Sequence, residues 1–287
     1  MAVTVAAVTF VADRTFGWGG TRLLMESQIR FSRLYKGDLS ADVLILGHSS
    51  DVDSLFVPAL EERTGSRVRS LAWNGLSAEI AEALWLDWVD RHPAPRLLLL
   101  EASFVTGSNR LLGDLRPYYR VSERLSALAR RDVPTSYWGC RVARLYCLNS
   151  EVTLRGVAYA RKQDQSWVNR YRITPALIAG TRDLPPQVLD PATQSNLEAL
   201  RRILTSADAA GTEVILLVGP YLPSFREKLS NTEEWRSDLE AALSRPIADY
   251  TASVRDSEFF SDRIHMNDVG ARAFADVLVN DGVVPPP

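Results

Sequence analysis

The sequence predicts an α/β fold built on a mainly parallel sheet, and three observations carry that reading. Short apolar runs of the kind buried on both faces recur along the chain. Segments with apolar residues at helical spacing lie between them. Several runs close on a turn former: Gly47, Asn74-Gly75 or Gly219-Pro220. Alternation of this sort means βαβ units with right-handed crossovers. Ligands of such sheets sit beyond the carboxyl ends of the strands.

Asp42-Val43-Leu44-Ile45-Leu46 reads as the first strand, ended by Gly47. Val52, Leu55, Phe56, Ala59 and Leu60 predict one helix after it. Arg67 to Ala72 is the second strand, and Ile80, Ala83, Leu84 and Val89 mark a helix stopped by His92-Pro93. Arg96 to Leu100 is the third strand. From Val121 to Ala160 several helical stretches are expected, with Pro134 and Gly156 as breaks. The four prolines between Arg172 and Pro191 predict an irregular excursion. Asn196 to Leu204 is helical, Glu213 to Val218 is a strand, and a last helix starts near Asn267, its expected N-cap.

The first residues leave several readings open. Ala2 to Ala12 is apolar and uncharged until Asp13 and Arg14. That is little over half of the roughly 20 residues a spanning helix needs. A complete secretory signal would carry a charged region ahead of it. The run is read as a buried first element, as a shortened anchor associating the protein with a membrane, or as a signal-like segment. Residues 1–40 are taken as a lead and 41–282 as the folded domain.

The 287 residues are 46% hydrophobic and 24% charged, which excludes wholesale disorder. A net charge of −2 argues against nucleic acid as a partner. Cys140 and Cys147 are too few for a disulfide framework or a structural zinc site. On one continuous helix they would stand about 10 Å apart, beyond disulfide reach.

Two segments could carry chemistry. Gly47-His48-Ser49-Ser50 places a hydroxyl at the carboxyl edge of the sheet, where Gly47 allows a sharp turn and room for substrate. Alone, such a serine reads first as a helix cap. Asp262 and His265, three apart before the last helix, suit a carboxylate holding one imidazole nitrogen while the other faces outward. That arrangement is what a general base needs to take a proton from serine. His92, at a helix end, is read as structural.

Together, Gly47-His48-Ser49 and Phe259-Phe260-Ser261-Asp262-Arg263-Ile264-His265-Met266-Asn267-Asp268-Val269-Gly270-Ala271 resemble the first and last blocks of the SGNH (GDSL-type) hydrolase superfamily, in a divergent envelope-associated branch. The resemblance implies a three-layer α/β/α, flavodoxin-like architecture. It implies Ser49 as nucleophile with His265 and Asp262 as base and acid. Gly75, in Trp73-Asn74-Gly75, matches the second block and would join Ser49 in the oxyanion hole. Two departures stand out. His48 takes the place usual for aspartate, and the third-block asparagine has no counterpart in register after Leu100-Glu101-Ala102-Ser103, so Asn109 is the candidate donor. Loss of one oxyanion donor typically costs about 3 kcal/mol in the barrier. Trp73 and Tyr221 are candidate substrate contacts. No metal or organic cofactor is implied.

The expected activity is that of a serine esterase or O-acyltransferase, its partner a small ester or acylated glycan. The alternative is a non-catalytic module of the same fold that binds a glycan or a protein. The resemblance places the protein in the cell envelope or periplasm, with the cytoplasm as the alternative. It leaves the oligomeric state open.

Overall fold

The computed structural model describes residues 2–36, 39–103 and 107–285. In chain order come helices α1 (Ala2–Glu26) and α2 (Arg30–Tyr35), then strand β1 (Val43–Leu46). Next are α3 (Ser49–Ser54), α4 (Val57–Thr64), β2 (Val68–Ser70), α5 (Ala78–Arg91) and β3 (Leu97–Glu101). A helical stretch follows with α6 (Glu123–Asp132), α7 (Pro134–Val142), α8 (Arg144–Leu148), α9 (Glu151–Ala158) and α10 (Pro175–Arg182). The chain closes with α11 (Gln194–Ala210), β4 (Glu213–Val218), α12 (Pro223–Arg226), α13 (Thr232–Leu243), β5 (Ile247–Asp249) and α14 (Asp268–Asn280).

All described strand pairs are parallel, in the order β2-β1-β3-β4-β5. Val43 stands opposite both Val68 and Leu97, and Leu99 opposite Ile215. The strand order reverses between β1 and β3, and a doubly wound sheet opens its ligand crevice at such a point. Val43, Ile45, Leu97, Leu99 and Leu217 pack with Leu55 and Phe56 before α4, Leu60 on α4, and Phe274 and Leu278 on α14. The alternate residues Leu44, Leu46, Leu98, Leu100 and Leu216 are equally buried. A strand's period of two turns them to the opposite face, where α11 lies against β4. Helices on both faces of a parallel sheet make the three-layer α/β architecture.

The chain forms two compact units. One comprises Ser40–Glu82, Pro93–Ser108 and Gln165–Pro287, and holds the whole sheet. The other comprises Met1–Leu39, Ala83–His92 and Asn109–Asp164. The lead is therefore joined with later helices rather than standing alone as a separate 1–40 segment. In this helical unit Arg30 and Asp164 form a buried ion pair, Nε to Oδ2 at 2.7 Å. Asp164 also accepts the Arg30 N–H, at 3.0 Å.

Several expectations are corrected. The predicted helix after β1 splits into α3 and α4 because Leu55 and Phe56 leave helical geometry, and Pro58 suits a first turn. The proline-rich excursion contains α10, because Pro175 at its start is preorganised for a helix and Thr174 caps it. Gly156 is no break: it lies inside α9, and a Cβ there would overlap Leu24 of α1. Asp13, which ends the apolar run, lies inside α1. Its carboxylate accepts the N–H groups of Arg144 and Leu145 at the start of α8, each at 2.9 Å.

The cysteines are corrected too. Ala143 turns extended between α7 and α8, so Cys140 and Cys147 return to a Cα separation of 5.0 Å and are paired. The reading of the N-terminal run as a buried first element also fails, since residues 4–11 are exposed. Among the described residues no helix is long and apolar enough to cross a membrane.

Candidate active site

The site lies in the sheet-bearing unit, where β1 hands over to α3. Gly47 does allow a close approach, though its own side-chain carboxyl neighbour fills the space expected for substrate: a Cβ at Gly47 would overlap Asp51. His48, not Ser49 or Ser50, caps α3. Its Nδ1 accepts the Ser50 N–H at 3.2 Å, while Asp51 Oδ2 accepts the His48 N–H at 2.9 Å. This reciprocal pattern is a capping box built with histidine. Ser49, the first residue of α3, is left with its hydroxyl free of capping duty.

His265 comes from the far end of the chain. Its loop folds back as a bridge between Phe260 and Met266, with Ser261 N–H donating to His265 O at 2.9 Å. Asn267, fully buried, holds the loop from both sides. Its Oδ1 caps α14 through the N–H groups of Val269 and Gly270, each at 3.1 Å. Its Nδ2 donates to the carbonyls of Glu258 and Phe260 at 2.6 and 3.1 Å.

The loop carries His265 to Ser49. His265 Nε2 stands 2.9 Å from Ser49 Oγ, and His265 Nδ1 stands 2.7 Å from Asp262 Oδ2. Asp262 is itself fixed, because its Oδ1 accepts the N–H groups of Ile264 and His265, each at 2.9 Å. Burial alone would push the imidazole pKa down. The Asp262 hydrogen bond and charge, with Asp53 behind them, outweigh burial and hold it above the usual histidine value. Burial likewise favours a neutral Asp262, and the bonds from His265 and the backbone overcome it, leaving its pKa below the usual range.

A buried polar layer lies beneath Ser49, and the motif reading missed it. Asp51 and Glu101 are 0% and 1% exposed. Glu101 Oε1 accepts the Ser103 N–H at 2.9 Å, mirroring the bond from His48 to Asp51. The remaining oxygens, Asp51 Oδ1 and Glu101 Oε2, are buried without a hydrogen-bond partner among the described residues. Burial first, then the Glu101 charge, pushes the Asp51 pKa well up.

The same layer is tied a second time. His48 Nδ1 is an acceptor, so the ring hydrogen is on Nε2, which donates to Ser103 Oγ at 2.7 Å. Burial keeps His48 below the usual histidine value, in the neutral form this bonding requires. Asp53, one turn after Ser49 on α3, is also buried, and burial pushes its pKa up to about 6 against the charge of His265 and a bond from Asn169. Asn169 also donates to Ser261 Oγ at 2.9 Å. The His-x-x-Asp spacing at a helix start was a legible sign of Asp51. An acid closing an otherwise apolar strand was the sign of Glu101. Asn169 carries no such sign.

The other predicted residues stand as follows. Gly75 has φ +75°, a left-handed turn that favours glycine, with open space where a Cβ would be. Its loop is tied to the Ser49 loop by Trp73 N–H donating to Gly47 O at 3.1 Å. Trp73 and Tyr221 are 3% and 7% exposed, packed into the interior rather than presented to solvent, and Tyr221 meets Phe225 edge-on. Asn109 belongs to the helical unit, where its amide donates to Asp132 at 2.7 Å. His92, in that same unit, bonds Leu34 O through Nε2 at 2.6 Å and packs at a tilt against Trp88.

The chain resembles GDSL-type esterases of solved structure. A Streptococcus pneumoniae protein provisionally described as a platelet activating factor is 13% identical, with 98% of each chain covered and a TM-score of 0.41. A GDSL-like lipase from Bacteroides thetaiotaomicron is 11% identical over 84% of this chain and 86% of its own, with a TM-score of 0.37. An acetylxylan esterase from Geobacillus stearothermophilus is 11% identical over 85% of this chain and 95% of its own, with a TM-score of 0.38. No family model and no curated protein matches the sequence. At such values the roles of individual residues rest on the geometry of the site alone.

Proposed function

We propose that the protein is a serine esterase of SGNH type working through an acyl-serine. The observation that carries this reading is the continuous relay Ser49 Oγ, His265 Nε2, His265 Nδ1, Asp262 Oδ2, at 2.9 and 2.7 Å. His265 takes the Ser49 proton as Oγ attacks the ester carbonyl, and Asp262 stabilises the imidazolium that forms. The N–H groups of Ser49 and Gly75 receive the oxyanion. The intermediate collapses with loss of the alcohol, which leaves with the proton from His265. Water then attacks the acyl-serine, again giving its proton to His265, and the acid departs. A sugar hydroxyl in place of water makes the same site an O-acyltransferase, and O-acetyl groups of a glycan are the substrates the family resemblance suggests.

Treatment with a fluorophosphonate tests this directly. Wild type is expected to gain one covalent adduct on Ser49, and Ser49→Ala none, with p-nitrophenyl acetate turnover lost in parallel. No adduct on the wild-type protein, or equal turnover in both, would overturn the enzyme reading in favour of a non-catalytic binding module.

A further inference from the structure

The helical unit carries a surface that the ester chemistry does not use. Residues 4–11 of α1 form more than two helical turns in which every residue is exposed. Val5, Val8, Phe10 and Val11 are 59–64% exposed, and no charged residue occurs from Ala2 to Ala12. The second half of α1 behaves differently. It packs on α8 and α9, with Gly17 against Arg144, Gly20 against Leu148 and Leu24 against Gly156.

A helix that docks on a protein surface or pairs with a second copy hides one apolar stripe and keeps a polar back. This stretch has no polar back, because only Thr4 and Thr9 interrupt it. An environment apolar on every side is what it fits. The residues at its base match such an environment. Asp13 and Arg14 bond the backbone at Val142, Arg144 and Leu145, which sets the exposed Val142 and Leu145 level with the end of the bare stretch. Beyond them Arg22, Arg120 and Arg144 line a small cavity with the exposed Trp18. Burial, and then the charges of Arg144, Arg14 and Arg141, hold the Arg120 pKa down against the charge of Asp13, while Arg22 pairs with Glu26 at 2.9 Å.

We propose that this end of the helical unit docks on a lipid bilayer with anionic headgroups. The bare turns of α1 enter the acyl region, Trp18 sits at the interface, and the arginine-lined cavity faces the phosphates. Eight residues of helix rise about 12 Å, against about 30 Å for a hydrocarbon core, so the bare turns reach into one leaflet. Tryptophan at the interface and basic side chains facing anionic lipid are the usual companions of such an insertion.

Co-sedimentation of the full chain with vesicles decides it, using phosphatidylcholine alone and an equimolar mixture with phosphatidylglycerol. Wild type is expected to sediment with the mixed vesicles. The double variant Val8→Glu/Phe10→Glu, altered only at exposed positions, is expected to lose partitioning by roughly tenfold or more. Arg120→Ala/Arg144→Ala is expected to lose the preference for the anionic mixture, with circular dichroism confirming that it folds. Absence of wild-type binding, or binding unchanged by the glutamates, overturns the proposal. So does a wild-type dimer that the glutamates disperse in analytical ultracentrifugation without any vesicle binding, which would assign the bare helix to a second copy.

Discussion

Asp262 uses its two oxygens separately, one for the backbone of its own loop and one for the imidazole. His265 can accept a proton only when neutral, and its pKa lies above the ordinary 6.5. The acid limb of kcat/KM for p-nitrophenyl acetate is therefore expected to rise through a midpoint above 6.5. Asp53→Asn removes one charge that raises this pKa, so the midpoint should fall with little change in the plateau. Asp262→Asn should lower the midpoint further and reduce the plateau by roughly three to four orders of magnitude, as the orienting carboxylate does elsewhere. A midpoint unmoved by Asp53→Asn would show that this carboxyl has no bearing on the base. Ser49, Asp262 and His265 were legible because each sits in a short motif beside a predicted strand or helix. Asp53 and Asn169 were not, since their neighbours come from segments distant in sequence.

At the scale of elements, two loops depend on one pair of buried carboxyls. Asp51 belongs to α3 and Glu101 ends β3, and each spends one oxygen on a loop N–H while the other is buried without a partner among the described residues. A glutamine at 101 can still accept from Ser103, and it removes the charge that raises the Asp51 pKa. Glu101→Gln is therefore expected to leave stability within about 1 kcal/mol of wild type, whereas Glu101→Ala leaves the Ser103 N–H without its acceptor and should cost about 1–3 kcal/mol in urea unfolding. Equal losses in the two variants would mean that the bond from Ser103 to residue 101 does not hold the loop. Strands β1, β3 and β4 were legible as apolar runs, and β2, which is Val-Arg-Ser, by the Asn74-Gly75 turn that follows it. β5 and α13 were not, since Ile247–Asp249 is three residues long and the buried stripe of α13, Trp235, Leu239 and Leu243, has one residue per turn among charged neighbours. Prolines misled where they open a helix rather than interrupt one, as Pro175 does.

For the molecule as a whole, proton uptake and release oppose each other. Asp42 is held down to about 2 by its hydrogen bonds to Arg67, and Asp262 is also lowered. What such groups add to stability is present above the unfolded carboxylate value and is lost as pH falls through the folded one. Asp53 acts the other way. Its pKa of about 6 in the folded chain exceeds the ordinary 3.8, so its contribution is full in acid and disappears as pH rises through about 6. Asp53→Asn should therefore stabilise the protein at pH 8 relative to pH 4, by a differential on the order of 2 kcal/mol against wild type in denaturant titrations. No difference between the two pH values would contradict the buried placement of this group. The division into two units was not legible at all, because it rests on contacts such as Arg30 with Asp164, more than a hundred residues apart.

The histidine that caps α3 has one more consequence. His48 and His92 each take a backbone N–H on Nδ1, from Ser50 and Leu39, and each turns Nε2 to an oxygen, so both carry their hydrogen on Nε2. Neutral His265 carries it on Nδ1, facing a carboxylate. With three histidines in the chain, nitrogen resonances of the imidazole rings sort two against one, and the odd ring is the one beside Ser49, assignable without altering a single residue.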